Sequence, residues 1–320
     1  MVTFNESIDE VTAFAPATVT NVSCGFDVFG FALHEPGDAV RLRRVRRKGV
    51  RIVKIKGTEG LPLQAEKNTA GKALLAFIEA LNPPFGFEME IHKKMAIGTG
   101  LGSSAASAAA AVFAANRFLR QPLSPAKLLP FALQGERLTS GESVHADNVA
   151  ASLYGGFVLI RSVHPLDVIP LHYPRNLVAA LIHPRINLTT SQMRRILRTQ
   201  VNLSDAVRQW GNIAAFVAAL QNEDFSLMRR SLNDVIIEPV RGKVIPGYEQ
   251  AKEAALKNGA LGSGISGSGP SIFALCSSQE VAQKAGRAMQ SVFERLQIQS
   301  DLYISPINAR GPKILHITQK

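Results

Sequence analysis

The sequence is poor in cysteine, since only Cys24 and Cys276 occur among its 320 residues. Two thiols are too few for a disulfide framework or a cysteine-rich zinc module, and this scarcity is typical of proteins in a reducing compartment. The first ten residues include acids and have no apolar core, so we expect no secretory signal there. Together these features predict a cytoplasmic protein.

Long apolar segments are also scarce. Residues 95–116 carry no charge and are long enough to cross a bilayer, but they begin with a glycine- and serine-rich stretch and continue mostly with alanine. This segment is too weakly apolar to insert into a membrane, so we expect no membrane partner. Hydrophobic residues make up 46% and charged residues 19% of the chain, which excludes disorder and indicates a globular protein of two domains.

Acidic residues are outnumbered by basic ones, 25 against 36, which gives a formal net charge of +11. Nine of the basic residues lie in the acid-free segment 41–56, where they alternate with apolar residues on both sides of Lys48 and Gly49. This pattern predicts a hairpin of two strands with its charges largely on one face. We interpret that face as the solvated side of a half-buried sheet. A polyanion site is the alternative, but the segment has no aromatic residues for stacking, which disfavours nucleic acid.

Hydrophobic periodicity predicts a mixture of strands and helices in both halves of the chain. Strands are expected at 11–15, 87–92, 155–160, 178–182 and 271–276, and helices at 68–81, 103–119, 191–198, 205–221 and 248–258. Further helices are expected after Ser124-Pro125 and after a capping box of Ser277 with Glu280. We place the domain boundary in the segment 165–174, which divides the chain into residues 1–168 and 169–320.

The clearest chemical signal is the string AIGTGLGSSAA at residues 96–106, between a predicted strand and a predicted helix. Its three glycines allow backbone amides to approach an anion, and the following helix directs its positive end to the same place. Two serine hydroxyls there can bind a phosphate oxygen or Mg²⁺. No Walker sequence occurs, and the GxGxxG string at 262–267 precedes a strand instead of a helix, so a dinucleotide site is rejected.

Three motifs together resemble the GHMP kinases: the loop at 96–106, APATVTNVSCGFD at 15–27 and GISGSGP at 264–270. Within that family, the strings HADN at 145–148, EPVR at 238–241 and TSQMR at 190–194 most resemble the subfamily that phosphorylates homoserine on the route to threonine. The resemblance implies an α+β protein of two domains. The first is an α/β domain with a left-handed β-α-β crossover, and the second is a ferredoxin-like α+β domain.

The resemblance also implies an ATP site, whose residues are Asn68, Ala96, Ile97, Gly98, Thr99, Gly100, Leu101, Gly102, Ser103, Ser104, Ala105 and Ala106. The family usually opens this loop with proline, so Ala96 is expected to loosen it. Ser104 and Glu136 match the residues that hold Mg²⁺, with Glu142 as an alternative acid.

For the acceptor, the resemblance implies a set of substrate-binding residues: Asn21, Asp27, His145, Arg194, Arg241, Ser266 and Gly267. Homoserine carries an ammonium group, which a carboxylate such as Asp27 suits. It also carries a carboxylate, which a planar guanidinium can pair bidentately.

The catalytic residues are expected to be Asn148 and Asp147. A loose transition state needs little deprotonation of the attacking hydroxyl, so we expect Asn148 to orient it without a strong general base. Two alternatives remain open. The chain could be another small-molecule GHMP kinase, of mevalonate or shikimate type, or a catalytically silent binding protein of this fold. A homodimer is also left open.

Overall fold

A computed structural model describes residues 3–96, 98–140 and 145–320. Its larger sheet has seven strands: β1 (Ile8–Thr20), β2 (Phe29–Val45), β3 (Val50–Lys56), β4 (Gly86–His92), β5 (Phe157–Val163), β6 (Leu166–Leu171) and β11 (Lys313–Gln319). The strand order is β11-β1-β2-β4-β3, and β5 pairs with both β2 and β6. The two long strands β1 and β2 are antiparallel to each other. Strand β11 pairs with β1, and strands β4 and β5 pair with β2.

Four helices accompany this sheet: α1 (Thr69–Leu81), α2 (Ser103–Asn116), α3 (Pro125–Ser140) and α4 (Asp147–Tyr154). The central helix α2 contacts β1, β2 and the other three helices, and twelve of its fourteen residues are buried. Its many alanines explain this position, because small side chains allow a helix to pack closely on every side. The alanine-rich part of the uncharged segment at 95–116 is therefore a core helix, and no described helix is long and apolar enough to cross a membrane.

The second sheet contains β7 (Val178–Pro184), β8 (Gly262–Ile265), β9 (Ile272–Cys276) and β10 (Ser300–Pro306) in the order β10-β7-β9-β8. Its helices are α5 (Thr190–Arg195), α6 (Leu203–Asn222), α7 (Phe225–Ser231), α8 (Glu238–Arg241), α9 (Tyr248–Lys257) and α10 (Gln279–Arg295). All neighbouring strands in this sheet are antiparallel. A βαββαβ sequence in this strand order is the ferredoxin-like arrangement, which confirms the predicted fold of this half.

Aromatic side chains join the two sheets. Phe31 of β2 lies 4.7 Å from Phe157 of β5 and 6.4 Å from Phe273 of β9, measured between ring centroids, and Phe216 of α6 lies 6.1 Å from Phe157. These rings belong to one buried apolar cluster that contains residues of both sheets. The two halves therefore share a core, which holds the loops between them in a defined position.

Two features bear on the predicted domains. Strands β3 and β4 are parallel and α1 connects them, as a β-α-β crossover requires. The C-terminal strand β11 returns to pair with β1 in the first sheet. The left hand of the crossover and the boundary between residues 168 and 169 stay predictions.

The predicted basic hairpin is wrong. Strand β4 lies between β2 and β3, pairing antiparallel with the first and parallel with the second, so the two basic strands never meet. The charges lie on an exposed face as expected, but acids of neighbouring strands pair with them. Arg41 contacts Glu10 at 2.6 Å and Glu90 at 2.9 Å, while Arg43 and Arg51 both pair with Glu88. The interpretation as a solvated face of a half-buried sheet is confirmed.

The remaining predicted elements are found with shifts at their ends. The largest shift is in β1, which begins three residues before and ends five residues after the predicted strand at 11–15. The cap of α10 is also corrected, because Ser278, not Ser277, accepts the hydrogen bond from Val281 N. The capping residue is one position later than the Ser-x-x-Glu spacing indicates, and the helix begins at Gln279 accordingly.

Candidate active site

The glycine loop, which the structure describes over residues 98–102, follows β4 and leads into the N-terminus of α2. Gly98, Gly100 and Gly102 all have positive φ angles, 75°, 76° and 66°. Gly102 is the N-cap of α2, and no side chain caps the helix there. The first amides of α2 are therefore available to a ligand, and the helix dipole favours an anion at this point.

Close contacts explain why glycine is needed at two of these positions. A Cβ atom on Gly100 would lie 2.4 Å from the carbonyl oxygen of Ser266, and one on Gly102 would lie 2.2 Å from Oγ1 of Thr18 and 2.6 Å from Oδ1 of Asn148. Ser266 Oγ also donates to Gly100 O at 2.8 Å. The loop therefore packs against the end of β1, helix α4 and the glycine-rich segment 264–270, the C-terminal glycine loop.

The C-terminal glycine loop is tied to the first domain by its backbone. Gly267 N donates to Thr20 O at 3.1 Å, and Gly267 O accepts from Asn21 Nδ2 at 2.6 Å and from Arg241 Nη1 at 3.2 Å. Ser266, Gly267, Asn21 and Arg241 were all predicted as substrate-binding residues, and the structure brings them together.

Asp27 is the centre of a charged group beside this loop. Its carboxylate accepts from Arg194 Nη2 at 2.8 Å, and its other oxygen lies 3.3 Å from His145 Nδ1. Burial raises the pKa of Asp27, but the hydrogen bonds from His145 and Arg194 outweigh burial and hold the pKa below its ordinary value. Asp27 is therefore ionised at neutral pH and can face an ammonium group.

Arg241 is a buried cation, 3% exposed. Burial lowers its pKa to about 10, with Asp27 opposing and Arg194 adding to the effect, so the guanidinium remains charged at neutral pH. Its Nε donates to Met193 O at 3.1 Å. Because both described hydrogen-bond partners of Arg241 are neutral carbonyls, the site keeps positive charge available for a carboxylate.

Ser104 and Glu136 form the candidate metal site. Ser104 in the first turn of α2 donates its hydroxyl to Glu136 Oε2 on α3 at 3.2 Å. Burial raises the pKa of Glu136 to about 7. A hydroxyl and a carboxylate at the uncapped N-terminus of a helix suit Mg²⁺, which takes few protein ligands and keeps phosphate and water oxygens. No group of three or more acids, histidines or cysteines that could hold a metal occurs among the described residues.

The two predicted catalytic residues begin α4. Asn148 accepts from Thr18 Oγ1 at 2.7 Å and donates to Thr20 Oγ1 at 3.2 Å, so its amide is held against the glycine loop. Asp147 is 3% exposed and accepts from Asn148 N at 2.8 Å. Burial and the charge of Asp27 raise the pKa of Asp147 above its ordinary value.

The remaining predicted ATP residues differ in what their side chains do. Asn68 caps α1 through Oδ1, which accepts from Ala70 N and Gly71 N, while its Nδ2 donates to Pro62 O. Leu101, Ala105 and Ala106 are buried in the core, so only their backbone can face a ligand, and Ser103 Oγ points to Asp38 at 3.5 Å. Thr99 Oγ1 donates to Ala96 O at 3.4 Å within the loop. Ile97 and the alternative acid Glu142 lie outside the described residues.

Several residues near the site were not predicted. Thr18 and Thr20 hold Asn148, and their alternate spacing in β1 could have placed them on one face. Lys93 pairs with Asp38 and donates to Ser103 O and Ser107 Oγ, both at 2.8 Å, in a buried network beneath the start of α2. The only sequence feature that could have indicated Lys93 is its position just before the glycine loop. No sequence pattern indicated Phe26, whose ring contacts Arg194 and Arg241.

The parts of this site have distinct chemistry. The uncapped glycine loop suits a chain of phosphates, the serine–glutamate pair suits a divalent cation, and the group formed by Asp27, Arg194 and Arg241 suits a small zwitterion. A site of this kind can transfer a phosphoryl group to a zwitterionic alcohol.

Comparisons with known proteins agree with this chemistry. The family model of the GHMP kinases N terminal domain matches residues 68–156, and that of the GHMP kinases C terminal matches residues 216–295. Homoserine kinase of Chlorobium phaeovibrioides is 48% identical, covering 95% of this chain and 99% of that protein. Homoserine kinase of Xanthomonas campestris is 42% identical, covering 96% and 94%.

Solved structures show the same relationship. The crystal structure of homoserine kinase from Cytophaga hutchinsonii is 53% identical and has a TM-score of 0.94, covering 98% of this chain and 99% of that one. The L. major mevalonate kinase in complex with R-mevalonate is similar in fold, with a TM-score of 0.72 at 18% identity over 96% of this chain and 99% of that one. The chain belongs to the GHMP kinase family, and within it to the homoserine kinases.

Proposed function

We propose that this protein transfers the γ-phosphoryl group of ATP to the side-chain hydroxyl of L-homoserine, giving O-phospho-L-homoserine and ADP on the route to threonine. The observation that carries this function is the position of the Asp27–Arg194 pair and of Arg241 beside the glycine loop, joined to it through Ser266 and Gly267. An α-amino acid has one positive and one negative group for these side chains, and its hydroxyl then extends toward the phosphates.

Positioning supplies most of the catalysis in this mechanism. The amides of the 98–104 loop bind the phosphates, while the charged group around Asp27 binds the amino acid, so the hydroxyl oxygen lies in line with the γ-phosphorus. The new bond forms between these two atoms as the bond from the γ-phosphorus to the bridging oxygen of ADP breaks, and the hydroxyl proton is lost to solvent. Ser104 and Glu136 would hold Mg²⁺, whose charge offsets that of the β- and γ-phosphates when it is bound.

Substitution of Asp147 tests whether a general base takes part in the reaction. Its burial and hydrogen bond to the backbone of Asn148 suit an orienting role, so we expect Asp147→Asn to retain turnover, with kcat reduced by about tenfold or less. Asn148 would orient the hydroxyl, supported by Thr18 and Thr20. Steady-state kinetics of the variant between pH 6 and pH 9 measure this. Complete loss of turnover with homoserine binding intact would instead show that Asp147 acts as the general base.

The acceptor is tested by ADP release from ATP with L-homoserine, mevalonate and shikimate at matched concentrations. We expect turnover with homoserine at least about 100-fold above that with the other two, because neither of them brings an ammonium group to Asp27 and the carboxylate would be left without its partner. A higher rate with mevalonate or shikimate would assign the chain to another branch of the family. No ADP release with any of the three would favour a binding protein.

Two further properties are proposed with this function. Dependence on Mg²⁺ is supported by the Ser104–Glu136 pair. A cytoplasmic location is supported by the scarcity of cysteine. A homodimer and the contact of Asn68 with the nucleotide stay predictions.

A further inference from the structure

The side chain of Phe26 contacts both substrate-site arginines. The guanidinium carbon of Arg194 lies 5.1 Å from the centroid of its ring, and that of Arg241 lies 5.0 Å from it. Each of the other aromatic rings with a cation contact in the described residues has one such partner, as Phe85 has in Arg44. Two arginines on a single ring at the active site therefore set Phe26 apart.

The turn around Phe26 fixes the backbone that carries the ring. Gly25 O accepts from the backbone amides of Val28 and Phe29 at 3.0 and 2.9 Å, and Asn21 Oδ1 accepts from Asp27 N at 3.1 Å. These bonds lie on both sides of Phe26 in the sequence, so its backbone is fixed at the point from which its ring contacts the two arginines.

The two arginines need such support. Their like charges repel: burial is the main cause of the lowered pKa of Arg241, and the neighbouring charge of Arg194 lowers it further. Asp27 bonds to Arg194, whereas Arg241 forms no salt bridge among the described residues. An aromatic face attracts a cation, and more strongly when the cation is desolvated. The ring can therefore offset part of the repulsion before a substrate carboxylate arrives.

We propose that Phe26 is a positioning residue for the α-carboxylate of the substrate, because its ring holds the guanidinium groups of Arg194 and Arg241 together in the unliganded site. This inference rests on the proposed function. By holding the two arginines, Phe26 favours acceptors that have a carboxylate. The ring itself does not touch the reacting atoms. Removing the ring allows the arginines to separate, so that the site must be reassembled each time homoserine binds.

The experiment compares kcat and KM for the unsubstituted protein, Phe26→Leu and Phe26→Tyr. We expect Phe26→Leu to raise the KM for homoserine about tenfold, with kcat within about twofold and the KM for ATP unchanged. Phe26→Tyr keeps the aromatic face and should stay within about twofold of the unsubstituted protein. Phe225→Leu, which changes a half-buried phenylalanine that has no described cation contact, is the matched control and should leave all three constants unchanged.

A double-mutant cycle with Arg241→Met tests the route of the effect. If Phe26 acts through the arginines, the double variant raises the KM by less than the product of the single effects. Calorimetric binding of homoserine to the same four proteins replaces the KM values if Arg241→Met is inactive, and Phe26→Met replaces Phe26→Leu if that variant does not fold.

Each other outcome overturns the inference. Equal KM increases in Phe26→Leu and Phe26→Tyr would show that the ring only packs, and multiplicative effects in the cycle would show that it acts independently of Arg241. A fall in kcat alone would place its effect on the chemical step. Lack of homoserine turnover in the unsubstituted protein would overturn the proposed function itself, whereas normal turnover with an unaffected Phe26→Leu would overturn only the role of Phe26.

Discussion

Gly100→Ala is expected to reduce kcat/KM by at least about 100-fold and to lower the melting temperature without any ligand. The new methyl group would lie 2.4 Å from Ser266 O and 3.0 Å from Gly269 O, and these are backbone atoms that can move only if the C-terminal glycine loop moves. Displacing one loop from the other by about 1 Å separates the phosphate side of the site from the amino-acid side, and a shift of that size costs about 100-fold in rate.

The positive φ angle of Gly100 adds to this cost and needs its own control. Gly60 has a φ angle of 78°, against 76° for Gly100, and a Cβ atom there would meet nothing within 4 Å. Gly60→Ala should therefore retain its activity. Its free energy of unfolding should fall only by the about 1–2 kcal/mol that a left-handed backbone costs a residue with a Cβ atom. Calorimetric unfolding and ADP release measure both variants. Equal losses of stability in the two would mean that the contact between the glycine loops is not tight.

Glu136→Gln is expected to lower kcat by about 100- to 1000-fold and to weaken the dependence of the rate on Mg²⁺. The uncharged amide still fits beside Ser104, but it cannot supply the negative charge that a divalent cation needs. Since burial raises the pKa of Glu136 to about 7, the unsubstituted protein should bind Mg²⁺ with ADP about tenfold more weakly for each pH unit below 7, and at a constant affinity above it.

The same residue gives a stability test that does not depend on activity. Between pH 4.5 and about 7, the unfolded chain has lost the Glu136 proton whereas the folded chain retains it, so this group's contribution to stability falls as the pH rises through that range. Glu136→Gln has no such loss. Its melting temperature, measured without metal and nucleotide, should rise relative to the unsubstituted protein up to about pH 7 and then stay level.

The control for both measurements is Glu79→Gln, which removes one charge from an exposed position on α1. This variant should follow the unsubstituted protein in rate, in Mg²⁺ dependence and in the pH profile of melting. A pH-independent difference in melting temperature between Glu136→Gln and the unsubstituted protein would contradict an elevated pKa for Glu136.

The geometry of the glycine loop could be predicted in detail because it is local. Glycines at alternate positions, two serines and the start of a helix lie within nine residues, so the string itself specifies both the left-handed backbone and the uncapped amides. The same applies to Asn68, whose capping of α1 follows from its position just before a helical pattern.

The basic segment shows where local patterns stop being sufficient. Alternating basic and apolar residues correctly indicated strands with one solvated face, but not which strands are neighbours. Strand β4, some thirty residues further along the chain, lies between β2 and β3, and its Glu88 and Glu90 pair with the arginines. Strand pairing is decided by the energy of the whole sheet, which no short segment contains.

From its residue order alone, this chain specifies most of its helices and strands, its glycine loop and its family, since backbone preference and apolar periodicity belong to a few consecutive residues. Only the folded chain brings Phe26 and Asp27 to Arg194 and Arg241 from three distant segments. Burial then lowers the pKa of Arg241 and raises the pKa of Glu136, because removal from water acts on a group only after the surrounding core has formed.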